Sequence, residues 1–180
     1  MVNTFIEIVA NSTLKYEIDK ISGILKIDRP QLYSSLCPTP YGFIPRTYCS
    51  KHTAACHNKL PKGVDGDRDP LDICVLTSHE IPHGGFLARA VPIGGLALVD
   101  RNEVDDKIIA VLVGDPAYGE ISDIKDLPEA LLHRLSHYFL SYKAIPGRTK
   151  NPIKIHNVYG RTLAQAVIKA SIEDYADLVM

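Results

Sequence analysis

Four carboxylates, Asp65, Asp67, Asp69 and Asp72, fall within eight residues in the stretch Val64-Asp65-Gly66-Asp67-Arg68-Asp69-Pro70-Leu71-Asp72. Pro70 bars a helix interior here. The apolar run Ile73-Cys74-Val75-Leu76 reads as a buried strand, so the acids crowd a turn and that strand's mouth. Gathering negative charge costs free energy, and a bound cation is the usual compensation. Oxygen-only donors select a hard ion such as Mg²⁺, Mn²⁺ or Ca²⁺. The competing reading is a solvated Asp-rich turn. An EF-hand loop is excluded: counting from Asp65, Pro70 stands where the loop needs Gly and Leu76 where it needs a bidentate Glu. A second acidic run, Asp100-Arg101-Asn102-Glu103-Val104-Asp105-Asp106-Lys107, also begins at a strand end. In a small barrel such strand mouths converge, which would let the two clusters share cations; a solvated hairpin tip is the alternative.

Other constellations carry less. Cys49, His52, Cys56 and His57 lie within nine residues but match no standard zinc spacing, and with Cys37 and Cys74 they do not form a disulfide framework, so reduced thiols and no zinc are expected. His133 and His137 stand four apart without a third ligand nearby and read as surface residues of a helix. Gly84-Gly85 and Gly94-Gly95 lack the spacing of a phosphate loop and read as turns.

The elements that must position these residues are mostly strands. Phe5 to Val9 and Leu14 to Asp19 alternate. Tyr16 and Ile18 take one face and Lys15, Glu17 and Asp19 the other; Ser22-Gly23 turns the chain, and Ile24 to Asp28 returns it, with Arg29 at the polar side. Arg29 to Gly66 is rich in Pro, Tyr, Ser, Gly and Cys and reads as irregular. Strand-length apolar runs resume at 71–76, 88–93, 96–99 and 108–113. Asp126-Leu127-Pro128-Glu129 predicts a capped helix over about 127–143, 153–158 a strand, and Thr162 to Gln165 a second capping box opening the last helix.

A chain of 180 residues with 46% hydrophobic and 23% charged residues suits one globular domain over 1–180. The net charge of −1 argues against general attraction to nucleic acid or anionic membrane. No apolar run approaches the roughly 20 residues of a membrane span, and no signal-peptide layout opens the chain, so a cytoplasmic location is expected.

The set Glu7, Lys15 to Lys20, Asp28-Arg29, Tyr41-Gly42, Asp67 to Asp72, Asp100, Asp105, Lys107 and Tyr142-Lys143 resembles, in colinear order, the soluble family I inorganic pyrophosphatases. The resemblance implies a mainly β fold with peripheral helices: a closed five-stranded, OB-like barrel plus two helices in the C-terminal half, with the active site at one barrel mouth. It implies hydrolysis of pyrophosphate to two orthophosphates by direct attack of a metal-activated water. Asp69 would be the general base, Asp67, Asp72, Asp100 and Asp105 metal ligands, and Lys15, Arg29, Tyr41, Lys107, Tyr142 and Lys143 the phosphate-binding set. Glu7 and Glu17 would complete the cavity. Several Mg²⁺ ions per site are implied, with Mn²⁺ or Zn²⁺ as substitutes and Ca²⁺ as an inhibitor, and so is a homo-oligomer, a hexamer favoured over a dimer. Two departures stand out. Arg68 occupies a position more often small, and Cys37 precedes Pro38 where many members have Tyr, which implies one hydroxyl donor fewer near the phosphate. Two rival readings are a nucleic-acid-binding barrel, which would need a basic groove with stacking aromatics, and a metal-storing domain, which would need the acids without Lys15, Arg29, Lys107 and Lys143.

Overall fold

The computed structural model describes residues 1–58, 60–143 and 153–180. Five strands close into a ring: β1 (Val2–Ile8) pairs antiparallel with β4 (Tyr41–Phe43) and β7 (Phe86–Asp100), β4 with β6 (Asp72–Leu76), β6 runs parallel to β8 (Glu103–Leu112), and β8 returns antiparallel to β7. Closure leaves no open edge in the ring. β5 (Asp65–Gly66) extends β8, β9 (Lys154–Gly160) adds to β7, and β2 (Leu14–Ile18) with β3 (Leu25–Pro30) forms a separate two-stranded hairpin. Gly23, at φ +70°, turns that hairpin as expected.

Alternation along the strands divides the core in two. Ile73 and Val75 of β6 and Ile108 and Ala110 of β8 join α1 (Lys51–Ala55) and α3 (Arg161–Val179), which contribute Ala54, Ala164 and Val167. Cys74, Leu76, Ile109 and Val111 instead meet Leu135 and Phe139 of α2 (Glu129–Ser141). Among the described residues no helix is long and apolar enough to cross a membrane.

Several local expectations are corrected. Gly94-Gly95 is not a turn: both lie inside the 15-residue β7, with a register shift between Pro92 and Gly94. Glycine is needed there because β9 packs too close for a side chain; a Cβ on Gly95 would sit 2.5 Å from the Tyr159 ring. The Arg29 to Gly66 region holds β4, α1 and β5, elements of two to five residues that are too short to show a period. Asp126 does not cap α2, whose N-cap is Pro128; it closes a capping box with Asp123 around a 3₁₀ turn at Ile124–Asp126. Thr162 does not open a capping box either. α3 begins one residue earlier behind Gly160, and the Arg161 N–H donates to Asp123 Oδ2 at 3.1 Å, so a distant carboxylate takes the capping role.

Candidate active site

The cavity at one mouth of the ring measures about 390 Å³ and is assembled from strand ends. Asp72 opens β6 directly opposite Lys107 of β8. Asp105 and Lys107 share a face of β8, while Asp106 between them points to the other side, where its carboxylate meets His57 Nε2 at 2.9 Å and accepts from the Tyr159 hydroxyl at 2.6 Å. Asp100 closes β7, and Tyr41 opens β4 and donates to Asp72 Oδ2 at 2.5 Å. Glu7, near the end of β1, accepts from the Ile18 N–H at 2.8 Å, which ties the β2–β3 hairpin to the ring and brings Lys15 and Glu17 over the mouth. Asp67 and Asp69 enter from the loop before β6, Tyr142 and Lys143 from the end of α2.

Of the predicted site residues, the structure brings Glu7, Lys15, Glu17, Tyr41, Asp67 and Asp69 to this cavity, together with Asp72, Asp100, Asp105, Lys107, Tyr142 and Lys143. Arg29 stays outside the lining, its guanidinium carbon 5.9 Å from the centre of the Tyr142 ring. Cys37 does not reach the site: it is buried, its thiol donates to the Thr39 carbonyl at 3.2 Å, and it supplies no donor to the cavity. Two charged lining residues escaped the reading of the sequence, Lys20 and Glu103. Lys20 belonged to the matched motif but carried no chemical signal of its own, and Glu103 lay inside the second acidic run. The two histidines of residues 49–57 are engaged separately, His57 with Asp106 and His52 with Asp177 at 3.1 Å.

Charge is unbalanced in this space. Burial, followed by repulsion from Asp105 and Asp72, pushes the Asp67 carboxyl up to about 8 in spite of nearby Lys107. Burial likewise raises Glu7 to about 7 against the pull of the Ile18 hydrogen bond. Asp72 is raised by burial although the Lys107 ammonium opposes it. Burial works against the Lys107 charge in turn, but Asp105 and Asp72 outweigh it and hold that ammonium firmly protonated. Lys107 lies between those two carboxylates, 2.5 Å from Asp105 Oδ1 and in contact with Asp72 Oδ2. Lys15 pairs with Glu17 and, at 3.1 Å, with Asp28; Lys143 reaches Asp100 Oδ2 at 3.4 Å, while Asp100 Oδ1 is buried with no hydrogen-bond partner among the described residues. Among those residues no three carboxylate, thiolate or imidazole groups already converge with metal-ligand geometry.

The departure at Arg68 has a backbone reading. Its φ of +64° lies in the left-handed region, where a residue with a Cβ is strained by about 1 kcal/mol and glycine is not. Glycine is therefore the easier occupant.

A family model described as inorganic pyrophosphatase matches residues 4–176. The inorganic pyrophosphatase of Chlamydia caviae is 46% identical over 177 residues, covering 95% of this chain and 82% of that protein. Soluble inorganic pyrophosphatase 1 of Arabidopsis thaliana is 34% identical over 178 residues, covering 99% of this chain and 74% of its own length. The crystal structure of the Thermus thermophilus inorganic pyrophosphatase superposes with a TM-score of 0.81 at 30% identity, over 97% of this chain and 91% of that one.

Proposed function

The chain belongs to the inorganic pyrophosphatase family, and from that premise we propose that it hydrolyses pyrophosphate to two orthophosphates by direct attack of water, with Asp69 accepting the proton. The observation that carries this reading is one cavity in which five aspartates stand interleaved with Lys15, Lys107, Lys143, Tyr41 and Tyr142, an acidic half and a cationic half of one donor set. A metal-storing site has no use for the cationic half. A nucleic-acid groove has no use for the acidic half.

Divalent cations fit the acidic half. Among the described residues Asp100 Oδ1 is buried without a hydrogen-bond partner, Asp67 is driven towards its neutral form by burial and by repulsion from Asp105 and Asp72, and the only cation between Asp72 and Asp105 is the Lys107 ammonium. Asp67, Asp72, Asp100 and Asp105 would hold Mg²⁺, the hard ion that a set of carboxylate oxygens favours. When bound, such ions neutralise phosphoryl oxygens and lower the pKa of coordinated water.

The chain's own groups do the rest. Asp69 lies at the mouth with its carboxylate exposed, so it can take the proton of a water approaching from the acidic side. Lys15, Lys107 and Lys143 supply fixed positive charge for the leaving phosphate; the Tyr142 hydroxyl donates a hydrogen bond to it, and Tyr41 does so once its one proton turns away from Asp72 Oδ2. Arg29 acts through its place over the Tyr142 ring. Glu7 holds the hairpin that carries Lys15 and Glu17. The same reading includes assembly of copies of this chain, a hexamer before a dimer, which light scattering on the purified protein distinguishes.

Colorimetric phosphate release from pyrophosphate with Mg²⁺ tests the activity; none at all would sink the proposal. Asp69→Asn keeps the size of the side chain but removes its basicity, so turnover should fall by about 10²-fold or more while calorimetric Mg²⁺ binding persists. Near-normal turnover at saturating Mg²⁺ would remove Asp69 from its role.

A further inference from the structure

We propose that Lys20 is a positioning residue for Asp69: its ammonium selects the side-chain orientation in which that carboxylate faces the cavity. The inference rests on the role assigned to Asp69 above. Lys20 Nζ lies 2.7 Å from Asp69 Oδ1, and both residues line the cavity.

The main chain around Asp69 is held on both sides. The Cys49 N–H donates to the Asp69 carbonyl and the Arg68 N–H to the Cys49 carbonyl, each at 2.9 Å, and the Leu71 N–H donates to Thr47 Oγ1 at 2.9 Å. Pro70 restricts the backbone between them. The Asp69 N–H donates to Asp67 Oδ1 at 3.1 Å, so the backbone of one acid orients the side chain of the other. None of these contacts touches the Asp69 carboxylate, which is 61% exposed and free to turn about two torsions. Among the described residues Lys20 is its one side-chain partner.

The other end of the link is also anchored. Lys20 follows β2 in a turn closed by hydrogen bonds from Gly23 N–H to the Asp19 carbonyl at 2.8 Å and from Asp19 N–H to the Ile24 carbonyl at 2.9 Å. The Asp19 carboxylate accepts from Ser22 and pairs with Lys26, and Glu7 fixes Ile18 two residues before Lys20. A long side chain leaving a fixed turn reaches across the mouth to a carboxylate on a fixed loop. A proton acceptor works only when aimed at its water, and errors of about 1 Å in such placement carry large rate penalties. An ammonium at this spot could instead bind substrate phosphate directly, and kinetics tells the two roles apart.

The test is kcat and KM for Mg²⁺-dependent phosphate release by the full chain, as Lys20→Met, Lys20→Arg, Asp69→Asn and the Lys20→Met/Asp69→Asn double variant. Positioning predicts that Lys20→Met lowers kcat by about fivefold, the upper range for an exposed ion pair, with KM nearly unchanged. Lys20→Arg should restore most of the loss, since it keeps the charge and the reach. In the Asp69→Asn background Lys20→Met should leave the residual rate unchanged, because the group it orients is gone. A raised KM at constant kcat, an equal loss in both backgrounds, or no loss at all would each overturn the proposal. Near-normal activity of Asp69→Asn alone would strike the assignment of Asp69 instead, so the two failures are distinguishable.

Discussion

Replacing Glu7 by Gln should make the metal-free protein more stable, by an amount that grows as pH rises from about 4.5 to about 7. Glu7 is 9% exposed, and burial carries its carboxyl from 4.5 to about 7, with Asp72 and Glu17 adding repulsion and the Ile18 N–H opposing the shift. Between those two values the folded chain binds a proton that the unfolded chain has released. Stability therefore falls as pH rises through that window, by up to about 1.4 kcal/mol per unit. The full span corresponds to a ceiling of about 3 kcal/mol, and about 2 kcal/mol is expected once solvent reaching the cavity is allowed for. Glutamine keeps an oxygen for the Ile18 N–H and never ionises. The advantage of the variant should thus be near zero at ~pH 4.5 and reach about 2 kcal/mol by ~pH 8, or roughly 4 to 8 °C in unfolding midpoint for a chain of this size. Urea unfolding of both proteins in chelator across that range measures the difference directly, with the titrating groups remote from Glu7 cancelling. A difference that does not grow with pH, or a less stable variant at ~pH 8, would refute the reasoning.

Asp174, 2% exposed, accepts from the N–H groups of Ser50, His52 and Thr53 and from the Thr53 hydroxyl, so Asp174→Ala should cost about 3 kcal/mol in urea unfolding by leaving buried donors unpaired. Burial alone would raise its pKa, but these hydrogen bonds outweigh that and hold it low; the stability they give is complete above the ordinary carboxylate pKa and lost as acid brings the pH down through the lowered value. Gly42→Ala should cost about 3 kcal/mol or more, because its Cβ would fall 1.8 Å from the Phe5 carbonyl oxygen across the β1–β4 ladder; a melting temperature within a degree or so of the parent would contradict this. Ca²⁺ should bind the same carboxylates and inhibit Mg²⁺-dependent phosphate release, since it takes longer bonds to oxygen and polarises water less; equal rates with either ion would count against metal-activated water.

What the sequence determined by itself is mostly local. The run from Asp67 to Asp72, with Pro70 inside it and four apolar residues behind it, specified a turn feeding a buried strand, and the same order of acids and cations carried the family resemblance across the chain. Asp105 to Lys107 fell outside the strand expected over 108–113 and lie inside β8 in the fold; its alternation puts Asp105 and Lys107 on one face and Asp106 on the other, but a period of two cannot say which face is the cavity. Ring closure decided that: the parallel pairing of β6 with β8 set Lys107 opposite Asp72 and sent Asp106 to His57 and Tyr159. Gly94 and Gly95 looked like a turn because local sequence does not record that β9 would lie against them. The caps at Asp126 and Thr162 failed for a related reason, since Asp123, remote in sequence from α3, caps its first turn. Lys20 was visible as a charge beside an acid and no more. Its bond to Asp69 spans 49 positions of chain, a distance over which only the folded hairpin and loop bring the two together.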